Sequence, residues 1–211
     1  MRAWGIRFLA VVGVLFGMVA ATAAAPPARL RVYIGTNTGG KSKGIYRSEL
    51  DLATGKLAPA TLAGEVVSPS FLAIHPGQKF LYAVTVIDDV QGKKTGAVGA
   101  FAIDSATGDL TLLNQQASGG GGPCHVVVDK AGRNVLVANY GGGSVASLPI
   151  QEDGSLAPAK SVIQHQGTSV DKQRQGAPHA HSINLDAANR FAFAADLGLD
   201  KVLVYKFDPT A

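Results

Sequence analysis

Two histidines, His179 and His181, stand two residues apart in Arg174-Gln175-Gly176-Ala177-Pro178-His179-Ala180-His181-Ser182. On an extended segment, residues i and i+2 project to one side, so this spacing presents two imidazoles together. Imidazole titrates near neutral pH and can take up or deliver a proton there, which makes the pair a candidate for general-base or electrophilic chemistry. Two histidines can also begin a metal site, with His125 as a third ligand. No glutamate or cysteine set completes a metal-binding pattern, and no metal or cofactor is expected. In the plainest reading the rings hydrogen-bond to neighbouring loops and only shape the structure. Arg174 and Lys201 are candidates for holding an anionic group, or else solvated surface charges. Asp196 and Asp200 flank Leu197-Gly198-Leu199, where a carboxylate either closes an Asx turn or orients a histidine or a ligand hydroxyl. Cys124 has no local activator and is expected to be inert. Gly141-Gly142-Gly143 lacks a following helix, so it does not read as a phosphate cradle.

These residues fall between strands, in a segment that recurs about every 55 residues. Phe71-Leu72-Ala73-Ile74 is followed by Phe80-Leu81-Tyr82-Ala83-Val84, and Val126-Val127-Val128 by Val135-Leu136-Val137-Ala138. In the third copy, Ser182-Ile183-Asn184-Leu185 is followed by Phe191-Ala192-Phe193-Ala194. Pro69 and Pro123 lie 54 residues apart, and Asp129 and Asp186 lie 57 apart. Continuous apolar runs fit strands buried on both faces. A third strand follows in each copy, over 98–103, 145–150 and 202–207, and the turns after the first two, like Asp51 to Leu57, follow an Asp-x-x-Thr-Gly-x-Leu form or a shorter variant. A repeat of this size built only of short strands implies an all-β chain, a β-propeller of four-stranded antiparallel blades. Residues 30–35 and 45–52 supply a second and a third strand alone, so the ring is expected to be incomplete, with about three to four blades. In a meander, alternate loops share a face. The loop before each first strand and the loop after each second strand then gather His125, Asn139, Arg174, His179, His181, Asp196 and Lys201 on one side of the disc, as loops on a rigid scaffold should.

The ends of the chain bound its setting. Arg2 and Arg7 precede the apolar run 8–19 and the small residues 20–25, the pattern of a secretory signal peptide over residues 1–25, with the propeller from residue 29 to 211. Removal of that leader lowers the net charge from +4 to +2. No lysine or arginine cluster exceeds Lys93-Lys94, so neither nucleic acid nor, after cleavage, a membrane is an expected partner. Cys124 is the sole cysteine, so no internal disulfide can form and the exported fold rests on its sheets. A periplasmic or secreted location follows.

Gly122-Pro123-Cys124-His125, Ala138-Asn139-Tyr140-Gly141-Gly142-Gly143-Ser144-Val145, the Pro178-His179-Ala180-His181-Ser182 segment and Asp196-Leu197-Gly198-Leu199-Asp200-Lys201 resemble the lactonase family of seven-bladed propellers, which includes 6-phosphogluconolactonases and carboxymuconate-lactonizing enzymes. The resemblance runs from about Arg31 to the last residue. It implies hydrolysis of a small-molecule sugar lactone, with His179 or His181 as the base or a substrate ligand. His125, Asn139, Arg174 and Lys201 would line the pocket, and Asp196 would orient a sugar hydroxyl. The family's arginine and glutamate residues are expected in later blades, so the 211-residue chain is expected to be inactive. Two other classes fit the same repeat, a non-catalytic extracellular binding propeller and a propeller whose histidines hold a metal or redox cofactor.

Overall fold

The computed structural model describes residues 28–88 and 94–210. The leader expected over residues 1–25 lies outside the described residues. Among the described residues, fourteen strands form four antiparallel meanders. The first sheet holds β1 (Arg29–Ile34), β2 (Gly44–Asp51) and β3 (Thr61–Glu65). The second holds β4 (Leu72–Ile74), β5 (Phe80–Asp88), β6 (Lys94–Ile103) and β7 (Leu110–Ala117), and the third holds β8 (Pro123–Val128), β9 (Asn134–Asn139), β10 (Ser144–Pro149) and β11 (Ser161–Gln164). The fourth holds β12 (Ala180–Leu185), β13 (Phe191–Asp196) and β14 (Lys201–Lys206). First strands lie side by side, β4 against β8 and β8 against β12, as strands around a common axis do. Among the described residues there is no helix.

The core lies between the sheets and follows the two-residue alternation of the strands. Leu81 and Ala83 face the first sheet and pack with Ile45 and Ala63. Their neighbours Tyr82 and Val84 face the third sheet and pack with Val135, Val137 and Leu148. Leu136 and Ala138 turn to the fourth sheet, against Ile183, Ala192 and Ala194. Every residue of β9 is buried; its apolar run Val135–Ala138 is covered on both faces, and Asn134 and Asn139 at its ends are buried polar residues.

Two of the three gaps between successive sheets are stoppered by a leucine that follows the turn after a third strand. Leu110 closes the first gap and Leu156 the second. A tyrosine of the preceding sheet holds each turn: Tyr33 donates to the Gly108 carbonyl at 2.8 Å, and Tyr82 to the Gly154 carbonyl at 3.0 Å. The third gap is an apolar cleft of about 280 Å³ lined by Leu136, Val145, Ile183, Tyr205 and Phe207. The outer strands β3, β7 and β11 complete the sheets. They add a fourth strand to the second and third sheets and give the first sheet three strands, where the apolar pattern alone marks two.

Candidate functional site

His181 occupies a β-bulge. Where β12 pairs with β13, Ala180 faces Asp196 and Ser182 faces Ala195, which leaves His181 as the extra residue. The same device stands one sheet earlier, with Cys124 extra between Pro123 and His125. A bulge interrupts strict alternation and re-aims its side chain, and His181 is exposed while His179 is half-buried. Both rings gather on Tyr140. His179 lies flat against it, centroids 4.6 Å apart and planes inclined by 17°. His181 meets it edge-on at 5.4 Å and 86°.

The backbone and ring of His179 are both fixed. Its N–H donates to Asp196 Oδ1 at 2.8 Å and its carbonyl accepts from the Leu197 N–H at 3.0 Å. Its Nδ1 lies 3.0 Å from the Tyr140 carbonyl. A carbonyl only accepts, so Nδ1 carries the proton and Nε2 keeps its lone pair in the neutral ring. Tyr140 thus organises both histidines. The sequence placed it in a glycine-rich loop without a role, and an aromatic residue ending a buried strand on the histidine-bearing face is the signal that marks it.

An open cleft of about 530 Å³ is lined by Arg174, His181, Asp200 and Lys201, with Leu197 and Val202 among its walls. His179 and His125 lie outside this lining. Arg174 is carried by a turn closed on Asp171, whose Oδ1 accepts from the Gln173 and Arg174 N–H groups. Buried Gln175 ties that turn to the cleft by donating to the Leu197 carbonyl at 3.0 Å. Asp200 has φ of 55°, and Gly143 at the same place in the preceding repeat has φ of 60°. A non-glycine residue is strained there, and the aspartate at this position brings a carboxylate into the cleft.

Asn139 and Asp196 end equivalent strands and act as latches between sheets. Asn139 Nδ2 donates to the Ser118 carbonyl at 2.9 Å and to Ser144 Oγ at 3.1 Å, while its Oδ1 accepts from Ser118 Oγ at 2.7 Å. At the same place in the second sheet, Thr85 Oγ1 donates to the Val67 carbonyl at 2.8 Å. In the fourth sheet the partner is His165, whose Nδ1 lies 2.5 Å from Asp196 Oδ2, with both side chains fully buried. In the neutral ring, whose Nδ1 proton faces the accepting carboxylate, His165 Nε2 is left to accept from the Tyr205 hydroxyl 3.0 Å away, and Asp196 Oδ1 also accepts from the Leu199 N–H. The polar atoms of Asn139 and Asp196 are therefore engaged inside the fold. Burial raises the pKa of Tyr205, and the Asp196 carboxylate adds to that rise. Nothing in the local sequence Gln164-His165-Gln166 singles out His165.

His125 is half-buried, packed on Phe71 with centroids 4.4 Å apart. Burial, and then the charge of His181, hold its pKa below the ordinary 6.5. The Cys124 thiol lies near the carbonyls of Ala138, Ala180 and His181. Burial raises its pKa, which keeps it a thiol and a poor nucleophile. Among the described residues, no three His, Cys, Asp or Glu side chains are grouped to hold a metal ion.

Residues 31–211 match the family described as lactonase, 7-bladed beta-propeller. The chain is 39% identical over 174 residues to the 6-phosphogluconolactonase of Bacillus subtilis, covering 82% of this chain and 48% of that protein. It is 31% identical over 176 residues to the 6-phosphogluconolactonase of Formosa agariphila, covering 83% of this chain and 49% of that protein. The solved structure of a periplasmic gluconolactonase of Pseudomonas aeruginosa superposes with a TM-score of 0.77 at 33% identity, over 86% of this chain and 51% of that one. The chain spans about half the length of the curated relatives it matches, and its four sheets form part of a propeller. The chain belongs to the lactonase family of seven-bladed β-propellers.

Proposed function

We propose that this chain carries the His181 side of a lactone-hydrolysing site, in an exported sugar lactonase of the 6-phosphogluconolactonase type. The observation that carries this reading is that an exposed imidazole, a guanidinium and an ammonium share one cleft. In the proposed reaction, His181 takes a proton from water as the water oxygen attacks the lactone carbonyl carbon. The carbonyl electron pair moves onto oxygen, and Arg174 or Lys201 meets the resulting tetrahedral oxyanion. Collapse breaks the ring C–O bond, and the imidazolium returns its proton to the departing alkoxide, which leaves the open-chain hydroxy acid. Water is the only co-reactant. His179, stacked on Tyr140, supports the ring that His181 meets edge-on, and Asp200 accepts from a substrate hydroxyl.

Export is supported by the leader-like pattern of residues 1–25 and by the periplasmic location in the name of the Pseudomonas relative. We also propose that this chain binds a lactone but barely hydrolyses it. Fixed charges stabilise an oxyanion strongly only where water is excluded, and four sheets leave the cleft open. The test is lactone hydrolysis followed at constant pH. The chain should match the spontaneous rate, and a full-length seven-bladed protein bearing this sequence should exceed it. In that protein His181→Gln should lower kcat by about 10²-fold or more. Unchanged turnover would remove His181 as the base, and a full-length protein that does not exceed the spontaneous rate would favour a non-catalytic binding propeller.

A further inference from the structure

The three latches do one mechanical job with unequal chemistry. Each joins a residue just past an outer strand to the sixth residue of the second strand in the next sheet. At the second sheet the groups are a hydroxyl and a carbonyl, and at the third a serine and an amide. At the fourth they are a carboxylate, an imidazole and a phenol, His165 and Asp196 being fully buried. A buried carboxylate loses its hydration and must recover it from donors that the protein holds in place. Asp196 has three, His165 Nδ1 and the N–H groups of His179 and Leu199. The fold latches two other sheets without that demand, so latching alone does not account for the ionisable version. It occurs where the latch also grips the backbone of His179, one turn from the cleft-lining Asp200 and Lys201. Departures from a repeated local rule mark functional positions.

We infer that Tyr205, His165 and Asp196 form a positioning relay that sets how His179 and His181 are presented at the cleft, an inference that rests on the lactonase reading only for what the presentation serves. The chain of contacts is continuous. The Tyr205 hydroxyl donates to His165 Nε2, His165 Nδ1 donates to Asp196 Oδ2, and Asp196 Oδ1 holds the His179 N–H. Hydrogen bonds in such a chain polarise one another. A change at Tyr205 therefore reaches the carboxylate that anchors His179, and through Tyr140 the ring of His181. None of the three residues touches the reacting atoms.

The fold supplies its own control. His165→Ser combined with Asp196→Asn copies the Ser118–Asn139 latch of the preceding sheet, so the sheets stay joined while the ionisable groups are gone. The readout is the ring ¹⁵N spectrum of histidine in the purified 211-residue chain. The double variant should shift the His179 and His181 signals and reduce the Nδ1–H form of His179. Signals from a folded double variant that superpose on the wild type would overturn the relay. If the double variant does not fold, Tyr205→Phe decides, because it removes one hydroxyl. It should move the His179 signals in the same direction, and unmoved signals would overturn the proposal. In the full-length seven-bladed protein the double variant should lower kcat by about ten- to a hundredfold with little change in KM. Shifted histidine signals in a protein that never hydrolyses lactones would defeat the lactonase reading and leave the relay standing.

Discussion

The imidazole of His179 lies flat on the ring of Tyr140, 4.6 Å between centroids, and its Nδ1 donates to the carbonyl of that same residue at 3.0 Å. One residue of the third sheet thereby fixes both the plane and the tautomer of a histidine from the fourth. His181 meets the Tyr140 ring edge-on and lines the cleft. The site is therefore built across a junction between sheets, and whatever moves that junction moves the histidines.

Gly198 is the tightest backbone approach beside the junction, between two loops of the fourth sheet itself. A Cβ at this position would run into the carbonyl oxygen of Ala177 and stand 2.8 Å from Pro178 Cα. The obstacle is backbone, which cannot rotate away. Gly198→Ala should push the 177–179 segment outward, cost about 1–3 kcal/mol of stability and displace His179. Gly39 has nothing within 4 Å of its Cβ position, so Gly39→Ala should change stability by no more than about 0.5 kcal/mol. Urea unfolding of both variants checks the contrast.

The parts of the fold that sequence made legible are those buried on both faces. The second strands of the first two copies, Leu81-Tyr82-Ala83-Val84 and Val135-Leu136-Val137-Ala138, are buried and uninterrupted by charged or amide side chains because neighbouring sheets cover them. The outer strands left no such trace. All four residues of Ser161–Gln164 are exposed, so nothing in their composition separates strand from loop. The loops bearing Arg174, His181 and Lys201 were legible as one face, and the structure places these three in one cleft. Two features were not legible. The bulge at His181 defeats the rule that residues two apart share a side, because the rule assumes unbroken pairing. The pairing of His165 with Asp196 spans 31 residues and arises only when one sheet packs on the next.

Leu156 and Leu57 occupy the same place in the Gly-x-Leu turns and differ in surroundings. Leu156 is 0% exposed between the second and third sheets, whereas Leu57 is 57% exposed. Leu156→Ala should cost about 2–5 kcal/mol, and Leu57→Ala about 0.5 kcal/mol or less. Thermal melts of the two variants measure the difference, and equal losses would contradict the stopper role of Leu156.

His125 makes the fold sensitive to acid. Its pKa in the folded chain lies below the ordinary 6.5 because of burial and the neighbouring His181. The unfolded chain then binds more protons than the folded one as pH falls through 6.5, so stability rises with pH across that window and is lost below it. Phe71 holds the place of His125 in the preceding repeat, which makes His125→Phe a replacement the fold already uses. Urea unfolding between pH 5 and 8 should show a shallower acid-side loss in the variant. The same slope in both proteins would remove His125 as its source.

In the proposed site, His181, Arg174 and Lys201 together receive a lactone or its hydroxy acid. The most direct measurement is a titration of the ¹⁵N-histidine-labelled chain with 6-phosphogluconate, the hydroxy acid expected from 6-phosphogluconolactone. The His181 ring signals should shift saturably while those of buried His165 stay in place. Arg174→Gln and Lys201→Gln should each weaken binding by about tenfold or more, the loss of one charged hydrogen bond. No saturable shift at His181, or binding of equal strength in both variants, would contradict it.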